Sequence, residues 1–164
     1  MQFLCHFAHP DGSFGGYYGS RSTRFYYPGG LLYLSDSIPE ASLLSEFMMK
    51  SIIEQKVVGL SCMDEPNLSP MFNSFVWAAS IKAGHKSSSP LSEDVLLPCR
   101  SRNTFRSNFP HAGMVIDRGD DHYSIISYKM GGVIKHFVND KLQILDAGAL
   151  FQSNKGKFGS SQFY

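Results

Sequence analysis

The densest run of side chains able to do chemistry lies between Asp11 and Gly30, in the stretch DGSFGGYYGSRSTRFYYPGG. Tyr17, Tyr18, Tyr26 and Tyr27 stand there with Arg21 and Arg24, spaced by six of the chain's fifteen glycines. Tyrosine offers a flat apolar face with a hydroxyl at its rim. Arginine offers a planar fork that stays charged. Glycines let the backbone turn sharply and come close to a ligand. Aliphatic residues at helical or strand period, the mark of a packed element, are nearly absent here. The stretch reads as a substrate surface, or else as an aromatic loop that plugs one end of a domain.

These residue types suit β-elimination on an acidic polysaccharide. That reaction removes a proton alpha to a carboxylate and then protonates the leaving glycosidic oxygen. A Tyr or His serves as base and a Tyr as acid. A cation or hydrogen-bond donor must hold the charge that develops on the carboxylate. Tyr18 and Tyr26 are the acid/base candidates, Arg21 and Arg24 the groups for the carboxylate, and Tyr17 and Tyr27 the surfaces for sugar rings. His111, beside Pro110, is the leading histidine, because it is expected at the junction between a helical and a β part. His122 reads as a turn residue and His136 as a sheet-surface residue.

Other chemistries find less support. DGSFGG has no clear strand before it and no phosphate-loop lysine after it, which weighs against nucleotide binding. There is no GxSxG, HExxH or CxxC, and the six histidines are scattered, so no metal or other cofactor is expected. Cys5, Cys62 and Cys99 are odd in number and widely spaced, and read as structural thiols that leave the redox compartment open. Fifteen basic residues against fourteen acidic ones advertise no nucleic-acid partner. No apolar run is long enough for a bilayer, and MQFLCHFAHPDG lacks the regions of a signal peptide.

The elements that must position these residues follow in order. Residues 1–10 read as the tail of a helix, and Leu31 to Leu34 as a brief apolar link. A helix is predicted from Ser37 to near Val58. Ser37 would be its N-cap, Glu40 completes a capping box, Leu44, Phe47, Met48 and Ile52 form its apolar face, and Gly59 caps its end. A second helix is predicted over Met71 to Ala83, started by Ser69 and Pro70, with Phe72, Phe75, Val76 and Ala79 on one face. The serine-rich run HKSSSPLSED is a linker. The pattern then alternates: Gly113 to Arg118, His122 to Tyr128, Val133 to Val138 and Leu142 to Asp146 form an antiparallel meander. The fold class is α+β, with an α-helical part over 1–84, a linker over 85–95 and an antiparallel β part over 96–164.

The DG…YGSR stretch, two helices, a linker, HAGMVIDRGDDHYSIISYKMGGVIKHF and a terminal SSQ together resemble the heparinase II/III-like family. The resemblance implies the terminal helices of an α/α toroid followed by part of a β-sandwich, with the active site in the cleft between them. It also implies an acidic polysaccharide as partner and a periplasmic or extracellular location. Tyr18 is the nearest match to the family's toroid tyrosine, with Tyr26 nearly as good, and His111 would assist from the β side. The family's upstream His or Asn has no match here. The chain also enters its busiest motif within ten residues of Met1 and stops in strand-like sequence. A piece of a longer protein is therefore expected, dependent on the rest of the toroid and poorly soluble alone. Two rival readings stand beside this one. One is a non-catalytic carbohydrate-binding piece. The other is a terpene-cyclase-like α/α barrel, against which the β meander weighs.

Overall fold

A computed structural model of the chain describes residues 1–19, 23–25, 27–84 and 96–161. The fold is α+β: the described residues form four α-helices, a five-stranded antiparallel sheet and a two-stranded hairpin. The chain divides into two compact units. The first comprises Met1–Phe14 and Arg24–Arg100; the second comprises Gly15–Thr23 and Ser101–Tyr164. The linker expected over 85–95 lies outside the described residues.

The first unit holds the helices. A short α1 (Gln2–Cys5) is followed by α2 (Pro28–Leu34), α3 (Pro39–Ile53) and α4 (Glu65–Gly84). The segment expected to be an apolar link is thus part of α2, opened by Pro28 at its first turn. Helix α3 starts at Pro39 with Ile38 as its N-cap and no side-chain cap bond. Proline pushes the residue before it out of the helical region, and Ile38 is extended at φ −133°, so the expected Ser37 cap is not used. Leu44, Met48, Ser45 and Ser51 form the buried face. Helix α3 stops at Ile53, short of Gly59, because Gln55 takes a left-handed φ of 56°. The amide of Lys56 then donates to the Ser51 carbonyl at 2.8 Å and that of Gln55 to Ile52 at 3.0 Å, a Schellman closure without glycine.

Helix α4 begins at Glu65, before the expected Ser69–Pro70 start, and carries Pro70 inside it. Pro66 already supplies the early proline, and Pro70 removes only one backbone bond near the N-terminal end. Its buried residues are Met71, Ser74 and Ala78, while Phe72 and Val76 are exposed, contrary to the expected face. The cause is the close approach of α2. The Gly29 amide donates to Ser74 Oγ at 3.2 Å, and a β-carbon on Gly29 would collide with the Trp77 ring. Small residues on α4 make that approach possible. None of the described helices is long and apolar enough to cross a membrane.

The second unit holds the strands: β1 (Phe105–Phe109), β2 (Met114–Arg118), β3 (His122–Ser127), β4 (Val133–Val138), β5 (Lys141–Asp146), β6 (Leu150–Gln152) and β7 (Phe158–Ser160). The first five pair in sequence order as a meander, one strand more than the sequence pattern predicts, and β6 pairs with β7. Tight turns set the register. Asn139 and Asp140 both have left-handed φ, as a two-residue β4–β5 hairpin requires. One face of the sheet is buried: Met114 and Ile116 on β2, Tyr123 and Ile125 on β3, and Val133, Lys135 and Phe137 on β4. Lys135 is the anomaly in that row of apolar side chains.

Candidate functional site

The glycine- and tyrosine-rich stretch is divided between the units. Tyr17 and Tyr18 belong to the second, with the sheet; Arg24 and Tyr27 belong to the first. Arg24 is exposed, and Tyr27 is 42% exposed with its ring edge-to-face against Phe25 at 5.8 Å. Arg21 and Tyr26 lie outside the described residues. His111 is exposed in the turn between β1 and β2, since β1 precedes it, and not at the junction of helical and β parts. Its carbonyl accepts from Lys129 Nζ at 3.1 Å.

Within the second unit the stretch folds back on itself. The Gly16 amide donates to the Thr23 carbonyl at 2.9 Å, and the Gly19 amide to the Gly16 carbonyl at 2.8 Å. Gly16 has a φ of 135°, a region that side-chain-bearing residues rarely enter. Against this turn stands Lys135, 6% exposed, whose ammonium donates to the Gly15 carbonyl at 3.3 Å. The same ammonium lies 5.5 Å from the centre of the Phe137 ring, within cation–π range. The point where a Gly16 β-carbon would stand is 3.8 Å from Lys135 Nζ and 3.9 Å from Cε1 of Tyr18. A buried ammonium and a buried phenol, 7% exposed, thus share the space beside one glycine.

The opposite face of the sheet carries a polar row. Arg106, Asp117, Ser124 and His136 are direct cross-strand neighbours from β1 to β4. Arg106 Nε donates to Asp117 Oδ1 at 2.8 Å. His122 places Nε2 at 2.9 Å from Asp117 Oδ2 and Nδ1 at 3.3 Å from Asp121 Oδ1. An imidazole that donates from both nitrogens is cationic. The hydrogen bond to Asp117 accordingly raises the His122 pKa above its ordinary value. The bond from His122, and then that from Arg106, hold the Asp117 carboxyl below its own. Ser124 Oγ lies 2.7 Å from Nδ1 of His136, whose ring centre is 5.7 Å from that of His122. Gly119 makes room for this arrangement, since a β-carbon there would collide with the His122 ring. Asp117 is shared by two donors and Ser124 is taken by His136, so the row braces neighbouring strands.

The sequence reading left out Lys135, Asp117 and Ser124. One signal was available for Lys135: VIKHFV alternates, which puts the lysine on the same face as Val133 and Phe137. Nothing in the sequence sets that lysine beside Tyr18. Among the described residues, no group of three or more His, Cys, Asp or Glu side chains is placed to hold a metal ion. No protein-family model, curated protein or solved structure matches the chain.

Proposed function

We propose that this chain is part of a lyase similar to the heparinase II/III-like proteins, which cleaves uronic-acid-containing polysaccharides by β-elimination. The observation that supports it best is the Tyr18–Lys135 pair around Gly16. In this reading Tyr18, as phenolate, takes the proton alpha to the uronate carboxylate. The electron pair left behind forms the new carbon–carbon double bond and expels the glycosidic oxygen. The phenol then returns its proton to that oxygen, so Tyr18 ends ionised as it began. Lys135, buried beside the same glycine, supplies positive charge to the site. Within the same unit, Tyr17 carries a sugar ring and His111 assists the proton transfer. Ultraviolet absorbance of the unsaturated uronate product, followed with alginate, heparin, heparan and chondroitin, tests the reading.

One observation favours a second reading, sugar binding without turnover. Tyr33 and Trp77 are 66% and 48% exposed with ring centres 5.7 Å apart. Exposed aromatic faces of this kind suit the apolar faces of sugar rings. Binding of a polymer with no unsaturated product would select this reading over the first. The five-stranded sheet weighs against a terpene-cyclase-like barrel.

A further inference from the structure

Strand β5 closes one side of the five-stranded sheet and pairs only with β4 among the described residues. All six of its residues, KLQILD, are exposed, with Leu142, Ile144 and Leu145 at 41%, 50% and 46%. An open strand edge with apolar side chains is a ready template for another strand.

The β4–β5 register shows which strand would fit. Lys141, Ile144 and Asp146 stand opposite Val138, His136 and Ile134, on the face of the polar row. Leu142 and Leu145 stand opposite Phe137 and Lys135, on the other face. Gln143 has no partner: it is the extra residue of a bulge. In a regular strand Leu142 and Leu145 would point to opposite faces, because side chains alternate. The bulge at Gln143 puts them on the same one.

We infer that β5 is a homodimerisation edge, occupied by β5 of a second copy in antiparallel, two-fold pairing. A two-fold axis perpendicular to the sheet demands that directly opposed residues come from the same face. Pairing centred between Gln143 and Ile144 meets that demand because of the bulge. Leu142 of one copy faces Leu145 of its partner on one side of the joined sheet. Lys141 faces Asp146 on the other side, once at each end of the new ladder. The strand is therefore charge-complementary to its own reverse. Asp146 uses Oδ1 to accept the Gly148 amide at 2.8 Å, which leaves Oδ2 for the lysine. Opposite-charge and apolar cross-strand pairs are the stabilising units of such a ladder, and like charges opposed across it are unfavourable.

Sedimentation equilibrium of the whole chain over a concentration series tests this. A reversible dimer is expected. Lys141→Asp or Asp146→Lys alone should weaken it about tenfold or more, since each replaces two attractions with two repulsions. The double reversal Lys141→Asp with Asp146→Lys should restore it. Hydrogen exchange of the unaltered chain gives a second readout, with amides of 141–146 more protected at high concentration than at low. A chain that stays monomeric overturns the inference. So does a dimer indifferent to the single reversals, one that the double reversal fails to restore, or exchange in β5 that is independent of concentration.

Discussion

The ammonium of Lys135 donates to the carbonyl of Gly15 at 3.3 Å, across 120 positions of sequence. That bond ties Gly15 to the middle of strand β4. Burying a lysine costs several kcal/mol unless it is partnered, and this one meets a carbonyl and an aromatic face.

Gly16 is the hinge of that arrangement. Gly16→Ala is expected to destabilise the protein by about 1–3 kcal/mol, because alanine is strained at a φ of 135°. The added methyl would meet Lys135 and Tyr18 at ordinary contact distance, so the cost lies in the backbone. Gly30→Ala is the control: Gly30 has open space around it and a place in α2, and the change should be neutral or stabilising. Thermal melts of the two variants check the contrast. Equal melting temperatures would remove the strain argument.

The polar row gives stability a pH window. Asp117 has a lowered pKa, chiefly through the hydrogen bond from His122. Its contribution is therefore present above the unfolded value of about 4 and is lost as pH falls through the lower folded value. His122 has a raised pKa, chiefly through the hydrogen bond to Asp117. Its contribution is complete below the unfolded value of about 6.5 and is lost as pH rises through the higher folded value. The two overlap between about pH 4 and pH 6.5. The side chains are 32% and 22% exposed, so screening keeps the effect below about 1 kcal/mol. Asp117→Asn should flatten the dependence of melting temperature on pH. An unchanged profile would mean that the pair contributes nothing.

Gln55 closes α3 in a conformation that suits glycine. A left-handed backbone costs a side-chain-bearing residue roughly 1–2 kcal/mol, and part of that is recovered when glycine replaces it. Gln55→Gly should raise stability by about 0.5–1 kcal/mol, read as a higher melting temperature. A lower one would show that the exposed Gln55 side chain carries a contact of its own.

Much of the sheet was legible because alternation reports strands directly. VIKHFV marks Val133–Val138 to the residue, and HYSIISY overshoots its strand by one. Strand β1 was not, since FRSNF has phenylalanines at its ends and three polar residues between them. The helices were read less well, and for local reasons. PGGLLYL carries two glycines in a run of seven, so α2 resembles a link. Pro66 and Pro70 each look like a first-turn proline, and only tertiary packing chooses between them. The αL residue that stops α3 is a glutamine, a type that announces no such conformation. Tyr18 can be picked out by type and company, but Lys135, buried beside the same glycine, lies far along the chain. Sequence spacing contains no information about such a pair until the strand register is known.

The most direct test of the central claim is a lyase assay of the purified chain and of Tyr18→Phe and Lys135→Met. Product absorbance would be read across pH with each acidic polysaccharide. The account predicts unsaturated uronate from at least one polymer and a loss of about 10²-fold or more for Tyr18→Phe with folding intact. Lys135→Met should lower activity as well, since it removes the cation buried beside the same glycine. Turnover undiminished in Tyr18→Phe, or polymer bound by the unaltered chain with no product at any pH, would contradict it.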